Sequence, residues 1–263
     1  MSNRKYLKVE SRSDGIRIIQ FNRPDAMNAW NLEMREEVIA EIEALPLSEV
    51  RAVIFAGTER AFGAGEDVRG MEDLSKGGTK KFRAWARSMH LHFDMIEALE
   101  VPVIAAIEGT AAGGGLELAL SCDFRVVSRQ ARLGLPEKNV GLIPGSGGCS
   151  RLVRLIGLAR AKELVMLENM ISAERANELG LVTRLVDNGK ALDEAIAVAE
   201  QLVQRSPLAL GLAKLVLNTC GDVDLETGRR IERLGQSVLK MTDDHIEAVN
   251  AFIGKRKPHW KAM

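Results

Sequence analysis

The chain has 263 residues, of which 46% are hydrophobic and 27% charged, a composition typical of a globular protein of one large domain or of one domain with a small appendage. Lysine plus arginine and aspartate plus glutamate both number 36, so the formal net charge is zero and no nucleic-acid partner is expected. The chain starts without a signal-like apolar stretch and contains no apolar run long enough to span a membrane. We therefore expect a cytoplasmic protein with no membrane partner.

The N-terminal region is predicted to contain a hairpin, a helix and a buried strand. Residues 6–10 and 16–21 alternate apolar and polar side chains around a turn at residues 14–15. Asn31 is suited to cap the helix that the apolar spacing after it indicates. The continuous apolar run at residues 52–55 predicts a buried strand.

The central region continues this alternation of strands and helices. A charged helix is predicted over residues 79–99 and a buried strand over residues 101–107. A helix over residues 116–121, a strand over residues 124–127 and a helix over residues 149–156 follow. Because strands and helices alternate, the fold class is predicted to be α/β with mainly parallel crossovers.

The pattern changes near residue 191, after which β-type runs disappear and the spacing becomes helical. We interpret this part of the chain as a C-terminal helical region. Its apolar residues are expected to form a face too large for a small appendage to bury alone. That face comprises Leu225, Ile231, Leu234, Val238 and Leu239.

Two glycine-rich segments are the most informative feature of the sequence. Residues 61–67 and residues 109–119 each follow a predicted strand and precede a helix-like stretch. Glycine lets a backbone approach a ligand closely, and the first N–H groups of a helix are unpaired and carry partial positive charge. Two such helix starts facing each other would stabilise a developing oxyanion, although tight turns are also a common use of glycine.

Other chemistries fit the sequence poorly. The dinucleotide motif fails because Val68 stands where its third glycine belongs, and the phosphate-loop motif fails because Gly115 stands where lysine is needed. Ser146 lacks the glycine spacing of a nucleophile elbow. The four histidines and three cysteines have no metal or redox spacing, so no cofactor is expected.

Two carboxylates remain as candidate acid and base. Glu117 follows the glycines of the second segment, and Glu137 follows Pro136, with one predicted strand between the two glutamates. That strand would return the chain to the same end of the sheet. A purely structural explanation stays open for both, because acids are favoured in the first helical turn and proline followed by glutamate often opens a helix.

Taken together, these motifs resemble the crotonase (enoyl-CoA hydratase/isomerase) superfamily over nearly the whole chain. The most specific matches are Phe62-Gly63-Ala64-Gly65-Glu66-Asp67 and Ala112-Gly113-Gly114-Gly115-Leu116-Glu117. The other matching segments are residues 22–24, 28–29, 102–106, 122–123, 135–137, 141–148, 171–173, 178–182, 252 and 255–257.

The resemblance implies a crotonase-like spiral of ββα units with a C-terminal helical region that packs between subunits. Residues 1–195 would form the spiral core with the active site, and residues 196–263 the oligomerisation region. Members of this superfamily are usually trimers or pairs of trimers, so we expect a homotrimer or homohexamer. The implied substrate is an acyl-CoA thioester, in which coenzyme A is part of the substrate.

The resemblance also implies roles for individual residues. The main-chain N–H groups of Glu66 and Gly114 would hold the thioester oxygen. The CoA-binding segment maps to Glu66, Asp67, Val68 and Arg69, with Ala64 as a further candidate contact. Lys255 resembles a basic residue that reaches the CoA of a neighbouring subunit, and a solvated tail charge is the alternative. Residues 73–86, which include Trp85, are expected to shape the pocket wall.

The presence of both glutamates favours hydration of a 2-enoyl-CoA to a 3-hydroxyacyl-CoA. Glu117 would hold and polarise water, and Glu137 would deliver a proton to the α-carbon and take part in activating the water. Glu66 stands where hydratases often carry alanine. Glutamate keeps the backbone N–H donor, but its charged side chain leaves the substrate preference open. The alternatives are an enoyl-CoA isomerase, a hydratase of a branched, aromatic or thioether acyl-CoA, and a non-catalytic acyl-CoA-binding protein.

Overall fold

The computed structural model describes residues 4–45, 48–67, 69 and 78–261. It opens with the predicted hairpin, in which β1 (Leu7–Ser11) pairs antiparallel with β2 (Ile16–Phe21). The turn contains Gly15 at a φ of +88°, a value that favours glycine. Helix α1 (Leu32–Ala44) begins as predicted, because the side chain of its N-cap residue, Asn31, accepts a hydrogen bond from a backbone N–H.

A six-stranded sheet forms the first layer of the fold. Its order is β1-β2-β3-β5-β7-β10, and every pair except β1 with β2 is parallel. Its remaining strands are β3 (Ala52–Ala56), β5 (Val103–Ile107), β7 (Phe124–Ser128) and β10 (Arg184–Val186). All residues of β3 and β5 are buried, which explains why these strands are continuous apolar runs rather than alternating ones.

A second, four-stranded sheet contains residues that the sequence assigned to loops. Its strands are β4 (Ala61–Gly63), β6 (Thr110–Ala112), β8 (Arg132–Gly134) and β9 (Ile171–Ser172), in that order. The first residues of both glycine-rich segments are therefore strands, which corrects the prediction of loops. Strands of three residues built from alanine, glycine and threonine are too short to show an alternating pattern.

Most of the regular structure outside the two sheets is helical. The central ones are α2 (Gly78–Ala98), α3 (Gly114–Ser121), α4 (Gly148–Lys162) and α5 (Ala173–Glu178). The C-terminal ones are α6 (Ala191–Leu202), α7 (Pro207–Cys220), α8 (Leu225–Lys240) and α9 (Asp243–Ile253). Short 3₁₀ helices span Pro24–Ala26 and Pro136–Val140, and a π-helical turn spans Glu163–Leu167. Helix α4 runs past its predicted end, with non-helical dihedral angles at Gly157.

The core lies on both faces of the six-stranded sheet. One face packs an aromatic cluster against helices α1 and α2, and its rings belong to Phe21, Trp30, Phe55, Phe62 and Phe93. The other face is covered by α6, through Ala195, Ala199 and the adjoining Val203. The predicted division between residues 195 and 196 thus falls within a helix that packs on the sheet. In the part of the chain that is described, no helix is both long and apolar enough to cross a membrane.

Candidate active site

A cavity of about 290 Å³ brings the two glycine-rich segments and the two glutamates together. Its apolar wall comes from Trp30, Phe82, Trp85, Ala86, Met89, Phe93, Pro136, Val140, Leu142 and Ile143. Its remaining lining residues are Ala64, Gly65, Glu66, Gly113, Gly114, Glu117, Glu137, Gly145 and Ser146. A larger cavity, of about 530 Å³, lies between α4 and α7 and contains neither glutamate, so the chemistry points to the smaller one.

Two backbone amides that have no hydrogen-bond acceptor among the described residues meet at this cavity. Trp30 donates its N–H to Gly65 O at 2.7 Å, and Asp67 donates its N–H to Trp30 O at 2.9 Å. In such a bridge the intervening N–H, that of Glu66, points away from the partner strand. Gly114 is the first residue of α3, where an N–H has no partner within the helix. Neither amide donates a hydrogen bond to another described residue.

Close glycine packing sets the spacing of these two amides. A Cβ placed on Gly114 would lie 3.7 Å from Gly65 Cα and 4.0 Å from Glu66 N, so the two donors are neighbours. Gly65 has a φ of +89°, and a Cβ there would lie 3.0 Å from Ala112 O. A helix start is thus observed at Gly114. The helix start predicted after the first segment involves residues 68 and 70–77, which lie outside the described residues.

Glu117 is held by backbone amides. It lies in the first turn of α3, is only 3% exposed, and its Oε1 accepts the N–H of Ser146 at 2.7 Å and that of Gly148 at 3.0 Å. Burial raises the pKa of Glu117, and these two hydrogen bonds act in the opposite direction by stabilising the carboxylate. No described residue donates a hydrogen bond to Oε2, which leaves that oxygen available to a ligand.

Glu137 has a different environment. It lies in the 3₁₀ helix Pro136–Val140, and its Oε2 is buried without a hydrogen-bond partner among the described residues. Its Oε1 would lie 3.2 Å from a Cβ placed on Gly113, so it faces the start of α3. Burial is the largest cause that raises the pKa of Glu137, to about 7, and the charge of Glu117 acts in the same direction. A carboxyl with this pKa is able to give up and take back a proton near neutral pH.

The side chain of Glu66 is paired with a buried arginine that the sequence analysis missed. Arg35 on α1 is 5% exposed, and its Nη2 lies 2.6 Å and 2.7 Å from the two carboxylate oxygens of Glu66. The guanidinium also lies over the Trp85 ring, 5.1 Å from its centroid. Burial raises the pKa of Glu66, whereas Arg35 opposes that rise. Arg35 precedes the buried Val38 by three residues, a spacing that places it on the core face of α1. That spacing was the signal by which the sequence could have revealed a buried arginine.

The other predicted substrate contacts are spread around the site. Ala64 lines the cavity. The Asp67 carboxylate accepts hydrogen bonds from Arg69 Nε at 2.9 Å and Arg23 Nη2 at 2.8 Å, and these arginines hold its pKa well below the usual range. Lys255 is exposed on the segment after α9 and does not line the cavity, while Val68 lies outside the described residues.

The predicted pocket wall is described only in its second half. Trp85 lines the cavity as expected, together with its helical neighbours on α2. Residues 73–77 of that expected wall lie outside the described residues. The segment of residues 144–148 presents two amides to Glu117, a role that the sequence does not indicate because it depends on contacts that no local pattern reveals.

Comparisons with known proteins indicate the family to which the chain is related. The sequence model of the family "Enoyl-CoA hydratase/isomerase" matches residues 11–263. The short-chain-enoyl-CoA hydratase of Clostridium acetobutylicum is 38% identical over 246 residues, which cover 92% of each chain. The 2,3-dehydroadipyl-CoA hydratase of Escherichia coli is 34% identical over 257 residues, covering 96% of this chain and 98% of that one.

A solved structure extends the similarity to three dimensions. The crystal structure of an enoyl-CoA hydratase from Bacillus anthracis has a TM-score of 0.93 and 36% identity, and the match covers 98% of this chain and all of the other. The crotonase-like α/β fold expected from the sequence is thereby confirmed. The chain belongs to the enoyl-CoA hydratase/isomerase family.

Proposed function

We propose that this protein is an enoyl-CoA hydratase, which adds water across the 2,3 double bond of an enoyl-CoA thioester to give a 3-hydroxyacyl-CoA. One observation carries the proposal: two differently held carboxylates share a cavity with two amides that no described residue pairs. Glu117 accepts two backbone hydrogen bonds, whereas Glu137 has a pKa of about 7 and one oxygen to which no described residue donates. Such a pair is suited to divide base and acid roles.

The two amides polarise the substrate. The thioester oxygen accepts the N–H groups of Glu66 and Gly114, and the partial positive charge at the start of α3 adds to their effect. These donors draw electrons from the double bond, which makes C3 more electrophilic. They also stabilise the enolate that forms when oxygen adds to C3. A well-placed oxyanion donor contributes about 3 kcal/mol to such a step.

The two glutamates then handle water and protons. The Oε1 of Glu117 is occupied by Ser146 and Gly148, so Oε2 holds the water and takes one of its protons. The water oxygen forms a bond to C3, and protonated Glu137 gives its proton to C2. The pair therefore carries one proton before and after the reaction, and the proton has moved from Glu137 to Glu117. Return of that proton restores the starting state.

The remaining roles follow from the family resemblance. Ala64, Asp67, Val68 and Arg69 would contact CoA, with Lys255 reaching the CoA of a neighbouring subunit. No metal, nucleotide or other cofactor takes part in the proposed reaction. We place the protein in the cytoplasm, where acyl-CoA thioesters and reduced thiols are both maintained.

A homotrimer or homohexamer is part of this proposal. The support is a set of apolar side chains on α8, α9 and the residues beside them that a single chain leaves in contact with water. Its most exposed members are Leu225, Leu234, Val238, Met241, Phe252 and Ile253. Ile231 and Leu239, which were expected on the same face, are half-buried.

An activity panel tests the proposal. Crotonyl-CoA, longer enoyl-CoA, branched enoyl-CoA and aromatic enoyl-CoA are supplied separately, and loss of the conjugated thioester absorbance is followed. We expect at least one substrate to be hydrated at the same rate before and after chelator treatment. If none of the substrates is consumed, the hydratase proposal is refuted. If chelator treatment lowers the rate, the cofactor-free mechanism is refuted.

A further inference from the structure

The segment of residues 144–148, here called the clasp loop, determines where Glu117 lies. It connects the 3₁₀ helix region to α4 and supplies both hydrogen bonds to Glu117 Oε1. Gly147 within it has a φ of +97°, a backbone conformation that other residues rarely adopt. A loop of this kind holds a catalytic carboxylate in place only if something holds the loop itself.

Arg151 supplies that support from the first turns of α4. The residue is 5% exposed, and its Nη1 donates to Ser146 O at 3.1 Å. Its Nη2 donates to Asp94 Oδ1 and Glu97 Oε2, both at 2.7 Å, and both acids lie on α2. One guanidinium therefore connects the clasp loop to a second helix.

Ser146 is consequently held at both of its backbone polar atoms. Its N–H donates to Glu117 while its carbonyl oxygen accepts from Arg151, so the two peptide units that flank the Ser146 Cα are both held by hydrogen bonds. The guanidinium also fills the space beside Gly147, because a Cβ there would collide with Nη1. Glycine at position 147 thus leaves the space that the guanidinium occupies beside the clasp loop.

We propose that Arg151 is a positioning residue for the hydratase reaction: it anchors the clasp loop to α2 and so fixes Glu117 against the water. This inference rests on the proposed function. Arginine suits the role because its planar fork donates in several directions at once, whereas lysine presents a single ammonium. Lysine at this position would keep the charge but lose part of the anchor.

Arg151 also acts on Glu117 through its charge. Several ionisable groups face Glu117: His90 on α2, Cys149 and Arg151 on α4, and Glu137 across the cavity. Arg151 favours the ionised form of Glu117, which is the form that takes a proton from water. Removal of its charge would raise the pKa of Glu117 and shift the acidic limb of the pH profile to higher pH.

Three variants test the inference on crotonyl-CoA. Arg151→Met keeps the packed stem and removes the guanidinium, and Arg151→Lys restores the charge alone. Arg154→Met is the matched control: Arg154 lies on the same helix and its side chain is 37% exposed. Its Nη2 donates to Asn218 O at 2.8 Å, away from the clasp loop. Because Asp94 and Glu97 reach solvent, Arg151→Met leaves no deeply buried charge unpaired.

We expect Arg151→Met to lower kcat by about 10- to 100-fold with KM changed by less than about threefold, since a small misplacement of a catalytic group costs rate rather than binding. Arg151→Lys should recover part of kcat and return the acidic limb of kcat/KM to its wild-type position. Amide hydrogen exchange across residues 144–150 should accelerate in Arg151→Met and stay unchanged in Arg154→Met.

Three results would overturn the inference: a kcat within about twofold of wild type in Arg151→Met, an equal loss in Arg154→Met, or a loss of kcat without faster exchange in the clasp loop. Failure of the proposed function is separable from these, because wild-type protein would then leave crotonyl-CoA unconsumed. In that event the exchange rates alone decide whether Arg151 anchors the loop.

Discussion

Glu117 and Glu137 share one cavity, yet the protein holds them by opposite means. Glu117 is nearly enclosed, and two backbone amides stabilise its carboxylate. Glu137 is less enclosed, but one of its oxygens has no partner in the described part of the chain, so burial favours its protonated form and raises its pKa to about 7. Burial raises the pKa of both side chains, but hydrogen-bond donors oppose that rise at Glu117, so the less enclosed Glu137 is the one whose pKa reaches about 7.

Removal of either carboxylate should have the largest effect. Glu117→Gln and Glu137→Gln are each expected to lower kcat by about 10²-fold or more, because a positioned acid or base contributes roughly that factor. Both side chains handle water and protons, so binding of butyryl-CoA, measured by calorimetry, should change little. Turnover close to wild type in one variant would remove that glutamate from the mechanism and end the comparison.

Loss of an oxyanion donor should come next. Glu66→Pro and Gly114→Pro each remove one N–H, and each should cost about 3 kcal/mol of transition-state stabilisation, or roughly 10²-fold in kcat/KM. Proline at the first residue of a helix is well tolerated, so Gly114→Pro should fold. Glu66→Ala keeps the N–H and serves as the control. We expect this variant to retain turnover and to change the ranking of the enoyl-CoA substrates. Collapse of Glu66→Ala on every substrate, in protein that thermal unfolding shows to be folded, would indicate that the carboxylate itself is catalytic.

The pH dependence sharpens the division of roles. Activity requires one proton on the pair, and the pKa of Glu137 is about 7. As pH rises through 7 that proton is lost, so kcat/KM for hydration should fall about tenfold per pH unit. Because hydration neither releases nor takes up a proton overall, kcat/KM for dehydration should fall along the same curve. Profiles that stay flat to about pH 9 in both directions would contradict the assignment of Glu137 as the acid.

The two glutamates should affect stability with opposite signs. Glu117→Ala leaves the Ser146 and Gly148 amides unpaired and should lower the free energy of unfolding by about 1–3 kcal/mol. Glu137→Gln should raise it at high pH by about 1 kcal/mol, a value discounted for partial solvent exposure. The folded-state pKa of Glu137 lies above its unfolded value. Ionisation of Glu137 therefore lowers the free energy of unfolding of the wild-type protein as pH rises toward and through 7, and the variant avoids that loss.

Thermal unfolding at about pH 5 and about pH 8 measures both effects. Glu137→Gln should have a higher Tm than wild type only at the higher pH, whereas Glu117→Ala should have a lower Tm at both. Glu117→Gln is the control, since its amide oxygen is still able to accept the two N–H groups. An unchanged Tm in Glu117→Ala would indicate that the backbone donors find water instead.

Local patterns predicted much of this fold. The hairpin, the Asn31 cap and the buried strands of the large sheet are confirmed, because each depends on residues near one another in sequence. The strand between the two glutamates allowed their convergence to be predicted as well. Strands β4 and β6 were missed because their short glycine- and alanine-rich sequences show no periodicity.

The contacts that tune the site were beyond local reasoning. Arg35 binds Glu66 across 31 residues of sequence, and Arg151 binds Asp94 across 57. The sequence named Glu66 as unusual but offered no means to pair it with one arginine among many. Such pairs depend on how helices α1, α2 and α4 approach one another, and that geometry follows from the packing of the whole core.

The pairing of Arg35 with Glu66 also has an evolutionary consequence. A change of Glu66 to alanine would leave a nearly buried guanidinium without its partner, at a cost of several kcal/mol by analogy with broken buried pairs. Replacement of Arg35 by an uncharged residue would instead leave the half-buried Glu66 carboxylate without its partner, beside the oxyanion donors. Either step alone is unfavourable, so the two positions should change together. Family members with alanine at the position of Glu66 are expected to carry an uncharged residue at the position of Arg35. Sequence covariation between the two positions would record that constraint.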